Sequence, residues 1–141
     1  MLFRSRHEAT IQPGTRQIEF EMREIVWIGA SDWVEQQLAE GRRQLTALAS
    51  DMGLAGEWVV AQDPFFLPAA QGKAFMQRLQ ETKLEYQSAD DAVALASVNR
   101  HGPFFGSRFG IVDARGEPAH TACLAVGLDR WRWQLSRGKL S

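Results

Sequence analysis

Arg16-Gln17-Ile18-Glu19-Phe20-Glu21-Met22-Arg23-Glu24-Ile25-Val26-Trp27-Ile28-Gly29 is the stretch on which the architecture turns. Ile18, Phe20 and Met22 alternate with Gln17, Glu19 and Glu21, the two-residue period of a half-buried strand. The pattern then thickens to Ile25-Val26-Trp27-Ile28, as where a strand enters a covered part of a sheet. Before it, Ile11-Gln12-Pro13-Gly14-Thr15 reads as a turn. After it, Ser31-Asp32 opens a helix, with Asp32 and Glu35 at capping-box spacing. Val34, Leu38, Leu45 and Leu48 form its apolar stripe, and Gly53 suits the stop.

Glu57 to Gln62 reads as a short strand ending at Asp63-Pro64-Phe65-Phe66, and a second helix is expected over Ala70 to Leu79. Lys83 to Gln87 and Ala92 to Asn99 read as strands around the acidic turn Ser88-Ala89-Asp90-Asp91. His101-Gly102-Pro103 reads as a loop, Phe109 to Val112 as a strand, and Asp113-Ala114-Arg115-Gly116 as a hairpin-type turn. Thr121 to Leu124 forms a small-residue strand that passes through Gly127 into a helix carrying Leu128, Trp131 and Leu135. Strands that adjoin hairpin turns, with few helices, indicate an α+β fold: a largely antiparallel sheet flanked by helices.

At 141 residues the chain fits one domain with one core. An apolar fraction of 45% excludes disorder as a description of the whole. With 16 Lys and Arg against 17 Asp and Glu, a dedicated nucleic-acid arm or polybasic membrane patch is excluded. The one cysteine, Cys123, rules out an intrachain disulfide. No apolar run reaches the roughly 18 residues of a membrane span, and Met1 to Arg6 has no apolar signal core behind its charges. A cytoplasmic protein is therefore expected.

Arg6 and Glu8 lie two apart on an extended segment and so face one side. By the same parity Arg16, Phe20 and Glu24 share a face, with Phe20 a candidate stacking surface. Arg130 follows a glycine at a strand-to-helix junction, and arginine suits phosphate because its planar fork keeps its charge and donates two parallel hydrogen bonds. By composition alone a strand bearing Arg and Glu is more often a solvated face, Phe20 more often core, and Cys123 a buried small hydrophobe. No Walker or Rossmann phosphate loop is present.

Order adds what composition lacks. Phe3-Arg4-Ser5-Arg6-His7-Glu8, a turn, and Arg16 to Glu24 resemble motif 2 of the class II aminoacyl-tRNA synthetases, in the version carried by the amino acid:[carrier protein] ligases, relatives of seryl-tRNA synthetase. Asp63-Pro64-Phe65-Phe66, Lys83-Leu84-Glu85 and Ser97-Val98-Asn99-Arg100-His101 resemble that family's intervening signatures. His120-Thr121-Ala122-Cys123-Leu124-Ala125-Val126-Gly127-Leu128-Asp129-Arg130 resembles its motif 3. The resemblance covers nearly the whole chain, as a partial class II catalytic domain over residues 1–141, truncated at the N-terminus.

The resemblance implies ATP-dependent activation of a small amino acid as an aminoacyl adenylate, then transfer to the phosphopantetheine thiol of a carrier protein, with no tRNA expected. By match Arg6 would hold the α-phosphate, Glu8 and Arg16 would fix the nucleotide, Phe20 would stack on adenine and Arg130 would bind the γ-phosphate. Arg6 and Arg130 would carry catalysis, with Mg²⁺ assisting. Glu85 matches a nucleotide position, and Ser97 and Asn99 match positions near the amino acid. Glu24 and Cys123 match two of the family's three zinc ligands, which hold the ion that grips the amino group.

Departures from the family accompany the match. The first zinc cysteine and motif 1, which builds the class II dimer interface, have no counterpart here. Asp129 stands for the usual Glu beside the motif 3 arginine, and Val93 stands where seryl synthetases carry a metal-binding Glu. The alternative to a ligase is an inactive synthetase paralogue or fragment serving as an ATP-binding or interaction subunit. An unpaired sheet edge in place of motif 1 predicts a homodimer or completion by another chain.

Overall fold

Small and apolar residues in the run His120–Gly127 make this segment the strand best suited to the middle of a sheet, since neither of its faces has room for long polar side chains. In the computed structural model, which describes residues 2–5, 10–61 and 83–137, that is where it lies. The strands are β1 (Leu2–Ser5), β2 (Glu19–Gly29), β3 (Gly56–Val60), β4 (Lys83–Ser88), β5 (Ala94–Gly102) and β6 (His120–Gly127). They form one sheet in the order β1-β2-β6-β5-β4-β3, with every pairing antiparallel. The helices among the described residues are α1 (Ser31–Asp51), α2 (Phe104–Phe109) and α3 (Leu128–Arg137). The α+β architecture agrees with the sequence reading.

Alternation along each central strand divides the sheet. Ala122 and Leu124 of β6, Val98 of β5 and Tyr86 of β4 enter a core completed by Val34, Leu38, Leu45 and Ala49 of α1 and Trp131 of α3. Those α1 positions recur at helical spacing, so one stripe of the helix meets the sheet. Gly41 lets it sit close, because a Cβ there would come within 2.8 Å of the Trp27 ring. Two aromatic polar atoms on this side find partners: Tyr86 donates to Leu54 O at 3.1 Å and Trp131 Nε1 to Leu95 O at 3.0 Å.

Several local expectations are corrected. No capping box forms on α1: its N-cap is Ala30, without a side-chain cap. Glu35 instead accepts from Arg100 Nε of β5 at 2.8 Å, and Asp32 pairs with Arg115. Leu48 is 50% exposed, and its neighbour Ala49 takes the buried place. β2 begins at Glu19 rather than Arg16, which closes a small bridge with Gln12. β5 runs on through His101 and Gly102, so these are strand residues, not loop.

Phe104–Phe109 is helical, and the expected strand over Phe109 to Val112 reduces to a bridge between Val112 and Pro118. Gly106 lets α2 pack against the chain entering β6, where a Cβ would meet Ala119 O at 2.2 Å. Asp113 organises the following turn, its carboxylate accepting from the amides of Arg115 and Glu117. The expected helix over Ala70 to Leu79 and the Asp63-Pro64-Phe65-Phe66 signature lie outside the described residues.

The revised stripe is testable by equilibrium urea unfolding. Leu38 is fully buried, so Leu38→Ala should cost ~2–5 kcal/mol. Leu48→Ala should change stability by less than about 0.5 kcal/mol. Equal losses at the two positions would refute this packing of α1.

Candidate functional site

The face of the sheet opposite α1 carries the polar side chains, and strand register sets them in rows. Glu24 lies opposite Ala125, Ala125 opposite Ser97, and Ser97 opposite Glu85. The next row runs Val26, Cys123, Asn99, Lys83. Glu24 and Glu85 are thus three strand spacings apart, about 14 Å. Between them the small β6 residues make a low floor. The trough above it encloses about 1240 Å³ and is bordered at one end by Arg16, Phe20 and Arg130. Every predicted site residue that is described lines it. Arg6 and Glu8 lie outside the described residues.

Arg130 stands where β6 ends and α3 begins. Its Nε donates to Thr15 O at 2.9 Å and its Nη1 to Ala94 O at 2.7 Å, so backbone carbonyls of two separate segments hold the guanidinium at the trough. Phe20, part-buried on β2, lies in register with Arg4 of β1.

At the opposite end Glu24 pairs with Arg4 Nη2 at 3.4 Å. Cys123 is buried beside it, accepting from Asn99 Nδ2 at 3.4 Å, with His101 Nε2 at 4.0 Å from the sulfur. Burial pushes the Cys123 thiol up to about 11, the Asn99 amide opposes this, and the Glu24 carboxylate adds to it. Burial likewise lowers the His101 pKa, partly offset by the charge of Glu24. His101 is therefore neutral at pH 7, with Nδ1 in hydrogen-bond contact with Thr121 Oγ1 at 3.1 Å.

Three participants were missed in the sequence reading. Lys83 pairs with Glu85 at 2.9 Å within the trough. Its signal was the two-residue spacing to Glu85, which places both on one strand face. His101 bears the same relation to Asn99, concealed by its assignment to a loop. Arg4 belonged to the quoted motif but was assigned no role. The zinc expectation is not supported: among the described residues no group of three His, Cys, Asp or Glu side chains converges to hold a metal. Glu24 and Cys123 are only two donors. Val93 lines the trough and also packs against the core, an apolar side chain where seryl synthetases have an acid.

Comparison with known proteins places this geometry. Solved structures of the Methanopyrus kandleri seryl-tRNA synthetase, in complex with A. aeolicus tRNASec, and of the Cryptosporidium parvum prolyl-tRNA synthetase, complexed with L-proline and AMP, superpose with TM-scores of 0.68 and 0.69. The first covers 82% of this chain and 24% of that one at 25% identity. The second covers 92% and 28% at 15% identity. This is a class II aminoacyl-tRNA synthetase-like fold. Within that class the chain is 42% identical over 115 residues to amino acid--[acyl-carrier-protein] ligase 1 of Bradyrhizobium diazoefficiens, which covers 79% of this chain and 35% of the ligase.

It is also 33% identical over 122 residues to the type-2 serine--tRNA ligase of Methanocaldococcus jannaschii, across 80% of this chain and 23% of that enzyme. The synthetase-like chain thus spans about a third or less of the length of these relatives. No protein-family description matches it.

Thiol chemistry checks the Cys123 surroundings. In metal-free protein, alkylation by iodoacetamide should be slow near pH 8 and should rise roughly tenfold per unit to about pH 10. A rate that levels off below about pH 9 would show that the thiol is not held up toward 11.

Proposed function

We propose that the trough binds ATP and a small amino acid side by side and activates the amino acid as its adenylate. The observation that carries this reading is the convergence of Arg16, Phe20, Glu24, Glu85, Ser97, Asn99 and Arg130 on one sheet face, in a chain 42% identical to an amino acid--[acyl-carrier-protein] ligase. Phe20 would stack on adenine, and Arg16 and Glu85 would hold the nucleotide. Arg130, its backbone contacts already made, would meet the γ-phosphate. Arg6 and Glu8 would act at the α-phosphate and the nucleotide. At the other end Glu24 would receive the ammonium group, with Ser97 and Asn99 beside the amino acid.

The chemistry asks little of acid or base groups. A carboxylate oxygen of the amino acid attacks the α-phosphorus, the bond from that phosphorus to the bridging oxygen breaks, and pyrophosphate leaves. The attacking carboxylate is ionised at pH 7 and needs no general base. Rate then depends on alignment and on cationic groups placed where phosphate charge grows. Mg²⁺, which suits one or two carboxylates plus phosphate oxygens, would neutralise that charge. Glu85, one of the carboxylates that line the trough, would take such a role. Zinc enters no step, because the described donors do not close a site for it.

A carrier-protein phosphopantetheine thiol is the proposed acceptor. Near-neutral charge favours it over tRNA, since 16 basic residues are offset by 17 acidic ones. A partner chain or second copy would dock on β1, an edge strand whose Phe3 is 74% exposed. A second reading, a nucleotide-binding or interaction subunit without activity, draws on Val93 in place of an acid and on the Arg4 ion pair that already engages Glu24.

Amino-acid-dependent ATP–pyrophosphate exchange separates the two. Activity should appear with Mg²⁺ and a small amino acid, and Arg130→Ala should lower it roughly 10²–10³-fold, as for loss of a group that stabilises transition-state charge. Folded protein that binds ATP without exchange would establish the second reading.

A further inference from the structure

The Arg130 guanidinium is held by the Thr15 and Ala94 carbonyls, and its backbone is held through its neighbour. The β2–β6 ladder ends at the Met22–Gly127 pair, because residue 128 already belongs to α3. The next amide along β2, that of Glu21, would therefore lose its partner on the β6 side. It donates instead to Asp129 Oδ2 at 2.6 Å. The carboxylate thus takes the place of a strand carbonyl one step beyond the end of the strand. Its other oxygen accepts from Arg132 Nη1 at 3.3 Å, and the same guanidinium pairs with Glu21. Asp129 is 24% and Glu21 19% exposed, so the two carboxylates are largely shielded while Arg132, 62% exposed, lies over them toward solvent.

Adjacent positions on α3 therefore reach in two directions: Asp129 to β2, Arg130 to the Thr15 and Ala94 carbonyls. With β2 held on one side, the first turn of α3 has one rotational setting, and that setting delivers the Arg130 guanidinium to the trough. An acidic residue in this turn also complements the helix dipole. We infer that Asp129 is a positioning residue for Arg130, and that its short side chain matches the reach from α3 to the Glu21 amide. This inference rests on the proposed nucleotide site.

The test compares Asp129→Ala, Asp129→Asn, Asp129→Glu, Arg130→Ala and the Asp129→Ala/Arg130→Ala double variant of the full chain. Binding of Mg-ATP and of AMP is measured by calorimetry, and exchange of the Arg130 Nε–H and the Glu21 amide by NMR. Asp129→Ala should weaken ATP binding roughly tenfold, the scale of one charge-assisted hydrogen bond, and leave AMP binding unchanged. The double variant should be no weaker than Arg130→Ala alone, because both changes remove one device. Asp129→Asn, which keeps an acceptor oxygen, should restore most of the affinity. Asp129→Glu, one methylene longer, should not.

Arg130 Nε–H should exchange faster in Asp129→Ala than in wild type, a response that loss of stability at a distant position would not give selectively. Wild-type ATP affinity in Asp129→Ala, or additive losses in the double variant, would overturn the inference. Wild-type protein that binds neither nucleotide would sink the functional reading instead. The role of Asp129 would then be decided by whether its loss frees the Arg130 Nε–H.

Discussion

Strand β6 must serve two faces at once. Ala122 and Leu124 fill the space under α1, while Thr121, Cys123 and Ala125, just as short, form the floor of the trough. Each side chain alternates across the pleat, so the packing of one face dictates which residues are left to the other. A bulky residue at Ala125 would raise the floor between Glu24 and Ser97. One at Ala122 would push α1 away and loosen the contact of Gly41 with Trp27. Most of the molecule's arrangement, including the separation of an apolar and a polar side, follows from this strand.

Charge in the trough is arranged in local pairs rather than left as a field of one sign. Arg4 meets Glu24 at one border and Lys83 meets Glu85 at another. Such pairs are partly shielded from water, and a ligand that takes one partner must satisfy the other. An amino acid is well matched to that requirement, since its ammonium and carboxylate can answer groups of both signs. Arg130 is oriented by the backbone carbonyls of Thr15 and Ala94, which belong to segments far from it in sequence.

The comparisons divide fold from function along the same line. At 15% identity a prolyl-tRNA synthetase still superposes over 92% of this chain, so the fold persists where most side chains differ. At 42% identity the likeness to a carrier-protein ligase extends over 79% of this chain. A chain that spans about a third of that ligase therefore holds the whole six-stranded sheet.

The sequence alone determined most of the strands, their antiparallel character, the terminal strand-to-helix passage at Gly127, and the common face of Phe20 and Glu24. These are local or periodic properties, and a two-residue period survives any change of surroundings. Where tertiary contacts competed, local rules failed. Asp32 and Glu35 have capping-box spacing, yet arginines from other segments took both carboxylates. Leu48 outranks Ala49 in hydrophobicity, but the angle of α1 on the sheet chose the alanine. The sequence marks no helix over Phe104–Phe109, and the helix there packs through Gly106 against Ala119. The rows that join Glu24 to Glu85 and Cys123 to Lys83 were likewise invisible in the chain, because register between strands distant in sequence is set by the shared core and not by any one strand.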